Sequence, residues 1–219
     1  IAKGIIPAGM EIMDKALTKA TNDYSKAGYP VDAEAMMIVE LDGTETEVSE
    51  LIKRVEDIAK KNKCSSIKIN KSEEERLKFW AGRKAAFPAC GDLAPDYMCM
   101  DGSIPRGKLA EVLKEIQRLS KKYELPVANA FHAGDGNLHP LIMFNANDPE
   151  QLRKTEEFGS EILKYCVRVG GALTGEHGVG IEKRELMCEA FNNTDIKQQI
   201  DIKVALDPNS LLNPGKVYP

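Results

Sequence analysis

The spacing of apolar residues along the chain predicts an alternation of helices and strands. Apolar residues recur at helical spacing in segments that are therefore predicted as helices: 8–27, 45–62, 72–86, 106–122 and 149–168. Shorter apolar runs bounded by turn-forming residues predict strands at 35–43, 65–70, 97–105, 127–132 and 138–144. Thr44 with Glu47, and Ser72 alone, stand where helix-capping residues are expected. Shorter helices are expected before the segment 206–217.

The order of these elements predicts the fold class. Most predicted strands alternate with long helices, whereas the strands 127–132 and 138–144 are separated only by a tight, glycine-containing turn. This mixture predicts an α+β fold, with a ferredoxin-like antiparallel or mixed sheet and helices packed on one face. No internal repeat or linker interrupts the pattern, so one domain spanning 1–219 is expected.

Charge and cysteine content narrow the class of protein. The formal net charge is −4 and the two signs are interspersed, so no basic stripe is available to bind nucleic acid. The chain has five cysteines and no CxxC pair, which indicates free thiols and a cytoplasmic location. No apolar run is long enough for a membrane span and no signal peptide opens the chain. Because the first residue is Ile1 rather than Met, we expect the sequence to begin inside a longer polypeptide.

Two histidines flank the predicted hairpin turn. Asp135-Gly136 is a strong signal for a two-residue turn, and a turn at that dipeptide places His132 directly opposite His139. Directly opposed side chains share a face of the sheet, with Cβ atoms about 4.5–5.5 Å apart. Two imidazoles at that separation can bind one metal ion. The alternative is a pair of polar residues beside a turn with no metal.

A second glycine-rich segment, TGEHGVGIEKRE (174–185), contains the third histidine of the chain. Glu176 in this segment would complete a set of two histidines and one carboxylate, and such a set leaves coordination positions open for water or substrate. The alternative is a flexible surface loop with ordinary charges.

Three longer motifs together resemble the FAD-linked oxidase C-terminal domain of the vanillyl-alcohol-oxidase superfamily. They are HAGDGNLHP (132–140), TGEHGVGIEKRELM (174–187) and LDPNSLLNPGKV (206–217). The nearest branches contain the glycolate oxidase D subunit, D-lactate dehydrogenase and D-2-hydroxyglutarate dehydrogenase. The resemblance covers essentially the whole chain, because it extends to segments 5–14, 29–43 and 79–89.

The resemblance implies a role for particular residues. His132, His139 and Glu176 match residues that bind a divalent metal, expected here to be zinc or manganese, and His177 matches the catalytic base. All four of these residues are present at the matching positions of the motifs, so the implied roles apply to this sequence without a substitution.

Two further residues have implied roles and simpler alternatives. Arg83 matches an arginine that binds the substrate carboxylate, and the alternative is a solvated arginine on a helix face. Asn213 matches a stretch that approaches the isoalloxazine ring of FAD, and the alternative is a simple C-terminal turn.

The activity implied by the resemblance is oxidation of a small 2-hydroxy acid, such as glycolate or D-lactate, to the 2-oxo acid by hydride transfer to FAD. The family's N-terminal flavin-binding domain is outside this sequence, so we expect the 219 residues alone to be inactive. Expected partners are the 2-hydroxy acid, the flavin domain and electron-acceptor subunits. Any association of the protein with a membrane is expected to occur through these subunits. Two alternatives stay open: a metal-dependent hydrolase with Glu176 or His177 as base, and a non-catalytic ligand-binding module.

Overall fold

The computed structural model describes all 219 residues. In chain order the elements are β1 (Gly9–Asp14), α1 (Lys15–Ser25), β2 (Ala35–Glu40), α2 (Glu45–Lys61), α3 (Glu73–Lys84), α4 (Ala86–Ala89), β3 (Asp96–Cys99), β4 (Gly102–Ser103), α5 (Leu109–Tyr123), β5 (Val127–His132), β6 (Asn137–Phe144), α6 (Pro149–Arg168), α7 (Met187–Ala190) and α8 (Asn193–Leu206).

These elements form two compact units. The first unit contains residues 1–95 and 128–134, and the second contains residues 96–127 and 135–219. Each unit combines helices with antiparallel strand pairs. The predicted α+β class with antiparallel strands is therefore confirmed.

In the first unit, β1 pairs antiparallel with both β2 and β5. Residues 9–14 were predicted as the start of a helix, and that prediction is wrong. Glu11 and Met13 are buried and their neighbours are less so, which is the two-residue period of a strand rather than of a helix. Asp14 then caps α1 by accepting a hydrogen bond from the Leu17 amide at 3.0 Å. The cap explains why the helix begins only at Lys15.

Two other predictions in the first unit have opposite outcomes. Thr44 and Glu47 form the predicted capping box at the start of α2, with the Thr44 amide donating to Glu47 Oε2 at 2.8 Å. By contrast, residues 65–70 were predicted as a strand and form neither strand nor helix. Ile67 and Ile69 in this segment are exposed, so the apolar face of the predicted strand is not buried.

In the second unit, β6 pairs antiparallel with β3 and β4 and is buried along its whole length. Helices α5 and α6 pack together, with the rings of Tyr123 and Phe158 stacked 5.5 Å apart. Residues 97–105 were predicted as one strand, but Met100 and Asp101 separate β3 from β4. Both strands keep the same register against β6, and the Met100 amide donates to the Pro140 carbonyl at 3.0 Å. Pro140 has no amide hydrogen to donate in return, so the ladder is interrupted at this point.

The glycine-rich segment after α6 runs beside β4. The Ser103 amide donates to the Ala172 carbonyl at 3.1 Å, and the Ala172 amide donates to the Ser103 carbonyl at 3.0 Å. Gly171 permits this approach, since a Cβ there would lie 1.9 Å from the Ser103 carbonyl oxygen. This pairing brings the following loop, residues 172–178, to the end of β6.

All five cysteines are free thiols, as the sequence predicted. None of the helices combines the length and the apolar composition needed to cross a membrane.

Candidate functional site

The loop that carries Glu176 and His177 is fixed by one buried carboxylate. Asp101 is fully buried, and its Oδ2 accepts hydrogen bonds from Thr174 Oγ1 at 2.6 Å and from the Gly175 and His177 amides at 3.0 Å. Its Oδ1 accepts a hydrogen bond from the Glu176 amide at 3.0 Å. Four consecutive residues, 174–177, are thus held by a single side chain.

Lys183 balances the charge of this carboxylate. Its Nζ lies 3.0 Å from Asp101 Oδ2 and donates to the Asp101 carbonyl oxygen at 2.8 Å, and the side chain is 2% exposed. Burial by itself would raise the pKa of Asp101. Hydrogen bonds from Thr174, Lys183 and the loop amides outweigh that effect and hold the pKa well below its usual range. The carboxylate is therefore ionised, and both of its oxygens accept hydrogen bonds.

The loop also requires a close approach to β6. A Cβ on Gly175 would lie 2.1 Å from Oδ1 of Asn137, so any other residue here would displace that buried side-chain amide. Gly178 has a positive φ of 83°, and its amide donates to Thr174 Oγ1 at 2.8 Å. These contacts present the side chains of Glu176 and His177 on the outer side of a rigid loop.

The side chains of this loop meet His139, a buried residue of β6. His139 Nε2 lies 3.0 Å from Glu176 Oε1, and His177 Nε2 lies 3.8 Å from the same oxygen. The rings of His139 and His177 stack with their centroids 5.2 Å apart. Potential ligand atoms of Asp101, His139, Glu176 and His177 all lie within 4.8 Å of one another. Because both oxygens of the buried Asp101 carboxylate accept hydrogen bonds that hold the loop, we assign this residue a structural role.

The donor set of this cluster fits a divalent metal ion. Imidazole nitrogen and carboxylate oxygen are ligands of zinc, with bonds of about 2.0–2.2 Å, so donor atoms of one site lie a few ångströms apart. His139 Nε2 and Glu176 Oε1 meet that requirement. The half-exposed His177 adjoins both.

The first unit contains a second charged cluster. Glu11 Oε2 accepts hydrogen bonds from Arg83 Nε at 3.1 Å and Nη2 at 2.8 Å, while Glu11 Oε1 lies 2.7 Å from His132 Nδ1. The Arg83 side chain is only 9% exposed, so the alternative of a solvated arginine on a helix face is wrong. The two hydrogen bonds use Nε and Nη2 and leave Nη1 for another acceptor.

Asn213 lies in a folded C-terminal segment with a left-handed backbone, at φ 49°. Asp207 organises the segment by accepting hydrogen bonds from the Leu211 and Leu212 amides at 3.0 and 2.9 Å. Arg184 Nη1 donates to the Gly215 carbonyl at 3.0 Å, which ties the segment to the region after the glycine-rich loop. Asn213 also lines an open cavity of about 320 Å³.

Comparison with known proteins identifies the family. The family described as FAD linked oxidases, C-terminal domain, matches residues 1–217. The chain belongs to this family.

Individual members agree with that assignment. The chain is 53% identical to glycolate oxidase subunit GlcD of Escherichia coli (strain K12) over 100% of its own length and 44% of that protein. It is 31% identical to the mitochondrial D-lactate dehydrogenase [cytochrome] of Arabidopsis thaliana, over 99% of this chain and 38% of that one. The chain thus spans less than half the length of these relatives.

Solved structures agree on the fold. The 4-ethylphenol oxidase of Gulosibacter chungangensis superposes with a TM-score of 0.69 at 15% identity, over 100% of this chain and 49% of that one. p-Cresol methylhydroxylase gives a TM-score of 0.66 at 16% identity, over 95% of this chain and 46% of that one. At these identities the likeness concerns the fold alone.

Within this family member, the residues singled out from the sequence fall into separate groups. His139, Glu176 and His177 come together in the second unit. Arg83 and His132 share Glu11 in the first unit. β5 ends at His132 and β6 begins at Asn137, so four residues connect the strands. The register that places His132 opposite His139, and the FAD contact of Asn213, stay predictions.

Sequence reasoning missed four buried charged residues: Glu11, Asp101, Lys183 and Asp207. Glu11 and Asp101 each interrupt an apolar strand-like run, and that interruption was the available signal. For Lys183 no such signal exists, because it stands in a strongly charged segment.

Proposed function

We propose that this chain is the substrate- and metal-binding part of a flavin-dependent enzyme that oxidises a small 2-hydroxy acid to the 2-oxo acid. The observation that carries the proposal is the cluster of His139, Glu176 and His177 on a rigid loop, in a chain that is 53% identical to a glycolate oxidase subunit. The proposed substrates are glycolate, D-lactate or a close relative, in line with the names of the relatives.

The metal ligands proposed are His139 and Glu176, with His132 as the third on the basis of the resemblance. The chemistry that a bound zinc or manganese ion supplies is Lewis acidity, which lowers the pKa of a hydroxyl group. His139 contributes an imidazole that is buried and therefore cannot rotate away. Glu176 contributes a carboxylate, and the hydrogen bond from its backbone amide to Asp101 fixes the position of this residue.

His177 is the proposed base that removes the proton of the substrate hydroxyl group. An imidazole suits this role because its ordinary pKa lies near neutral pH. The His177 amide is anchored on Asp101, while the side chain remains half-exposed and stacks on His139. A fixed backbone with an accessible ring allows proton transfer without reorganisation of the loop.

Arg83 is proposed to bind the substrate carboxylate, and Glu11 holds its guanidinium in one orientation. Asn213 is proposed to contact the cofactor. The chemistry that bound FAD supplies is acceptance of the two electrons that leave C2 of the acid as a hydride.

A larger polypeptide is part of the proposal. We propose that the remaining length seen in the relatives binds FAD and covers apolar surface of this chain. Three leucines near the C-terminus are largely exposed, as residues of an interface are when the partner is absent: Leu206, Leu211 and Leu212. Electron-acceptor subunits are proposed as further partners.

The test is anaerobic reduction of the flavin in the full-length protein. Glycolate, D-lactate and D-2-hydroxyglutarate are added in turn, with L-lactate and the 2-deoxy acids as controls. We expect at least one 2-hydroxy acid to bleach the flavin absorbance and to yield one 2-oxo acid per flavin. Bleaching by none of the acids would contradict the proposal. Metal-dependent hydrolysis by flavin-free protein would instead favour a hydrolase.

A further inference from the structure

The helix that carries Arg83 has no fully buried apolar side chain. Among the 12 residues of α3, the two that are buried are Gly82 and Arg83. Most helices of folded proteins are held in place by an apolar face that packs against the core. Because α3 has no such buried face, its position depends strongly on the contacts that these two residues make.

Tyr29, in the loop after α1, packs directly against this part of α3. It is 8% exposed, and a Cβ on Gly82 would lie 2.2 Å from its Oη. The Tyr29 hydroxyl donates a hydrogen bond to the carbonyl of Phe79. In an α-helix that carbonyl also accepts the amide of the residue four positions later, which is Arg83. One phenol therefore contacts the turn of α3 that carries the proposed substrate-binding arginine.

The position of Tyr29 is itself fixed by α1. Asn22 Oδ1 accepts hydrogen bonds from the amides of Gly28 and Tyr29, both at 2.9 Å. Gly28 has a positive φ of 77°, a conformation that glycine adopts without strain. Burial raises the pKa of Tyr29 to about 12, so at neutral pH the hydroxyl keeps the proton that it donates. The phenol is thus a well-fixed hydrogen-bond donor.

We propose that Tyr29 is a positioning residue that fixes the place from which Arg83 reaches a substrate carboxylate. The Tyr29 hydroxyl and the close contact at Gly82 hold the backbone of α3. Glu11 holds the side chain of Arg83 through Nε and Nη2. The inference rests on the proposed function for the role of Arg83. An arginine fixed at both ends loses little further freedom when it binds an acid, and this favours binding.

A role in packing alone does not require the hydroxyl group, because the ring of phenylalanine fills nearly the same space. A buried hydroxyl group must find a hydrogen-bond partner to offset the loss of water. For Tyr29 that partner is the backbone of α3 rather than a neighbouring side chain. Removal of the hydroxyl therefore tests the inference with little change in volume.

The test uses Tyr29→Phe in the full-length protein. Tyr24→Phe is the matched control, because Tyr24 lies on α1 in the same unit and is 56% exposed. Arg83→Gln and the double variant Tyr29→Phe/Arg83→Gln complete a cycle, since coupling between two residues is measured as a departure from additivity. Circular dichroism verifies that each variant is folded.

The first measurement is amide hydrogen exchange in the segment 79–85, which needs no substrate. We expect exchange there to be about two- to tenfold faster in Tyr29→Phe than in the wild type, the change that corresponds to one hydrogen bond. Tyr24→Phe should match the wild type. Unchanged exchange in Tyr29→Phe would overturn the inference, even if the Arg83 variants do not fold.

The second measurement is the affinity of metal-free protein for oxalate, by titration calorimetry. Oxalate has carboxylates and no hydroxyl group, so it binds without being oxidised to a 2-oxo acid. We expect its dissociation constant to rise about two- to tenfold in Tyr29→Phe, and this effect to vanish in the Arg83→Gln background.

The outcomes distinguish failure of the inference from failure of the proposed function. If Arg83→Gln weakens oxalate binding and Tyr29→Phe does not, Tyr29 has only a structural role. The same conclusion follows if the effect of Tyr29→Phe persists in full without Arg83. If Arg83→Gln binds oxalate as tightly as the wild type, the proposed role of Arg83 is wrong, and the purpose assigned to Tyr29 is overturned with it.

Discussion

Replacement of Asp101 by asparagine is expected to loosen the loop that carries Glu176 and His177. The change removes the charge that pairs with Lys183, a residue whose side chain is 2% exposed. It also replaces one carboxylate oxygen by an amide group, whose hydrogens face backbone N–H donors such as that of Glu176. Breaking a buried ion pair by removing one partner costs about 3–5 kcal/mol, because the other charge stays buried and uncompensated. We expect a loss of that size in the stability of the loop.

The assay is amide hydrogen exchange of peptides covering residues 174–183 in the full-length protein. A loss of about 3–5 kcal/mol corresponds to exchange faster by roughly two to four orders of magnitude, since 1.4 kcal/mol is a factor of ten. Glu189→Gln is the control, because its salt bridge with Lys164, at 2.9 Å, is exposed on both sides. An exposed pair contributes about 0–1 kcal/mol.

The sign of the pH dependence follows from the depressed pKa of Asp101. A group whose pKa falls on folding stabilises the folded state above its unfolded pKa, and that contribution is lost as the pH drops through the folded pKa. The difference between wild type and Asp101→Asn should be constant above about pH 5 and should shrink below about pH 4. Equal exchange in the two proteins at pH 7 would refute the assignment of Asp101 as the anchor of the loop.

Three further outcomes are expected. His177→Gln in the full-length protein should lower turnover about 10²–10⁴-fold in steady-state assays, the usual loss for a general base, and unchanged turnover would exclude that role. Gly175→Ala should destabilise the protein by about 1–3 kcal/mol in urea unfolding, because the new Cβ meets the Asn137 amide, whereas Gly107→Ala has open space and should be near neutral. Thr44→Ala should cost about 1 kcal/mol in the same assay through loss of the capping box, and a neutral effect would show that this helix end needs no cap.

The elements that the sequence predicted well are those determined by local chemistry. The bounds of α6, 149–168, are those predicted, and its N-cap, Asp148, accepts hydrogen bonds from the first amides of the helix. The start of α2 follows from the Thr44 capping box. Here propensity, capping and apolar spacing agree, so no distant contact is needed to determine the structure.

The elements that the sequence predicted poorly depend on distant partners. β1 is short and leads directly into α1, so its two-residue period was concealed by the helical period that follows. Asp101 contacts Thr174 and Lys183, which lie 73 and 82 positions later, and no local pattern reports such a contact. The sequence revealed the histidine motifs because glycines flank them. It did not reveal the buried charged residues that hold these motifs in place.

We propose that Glu176 is a metal ligand and that its neighbour His177 is not. The most direct test is the metal content of the full-length protein after equilibration with buffered zinc or manganese and gel filtration. We expect about one ion per polypeptide in the wild type and in His177→Gln, and a large loss in Glu176→Ala, since a missing ligand weakens a site of few donors. Full metal content in Glu176→Ala, or its loss in His177→Gln, would contradict the account.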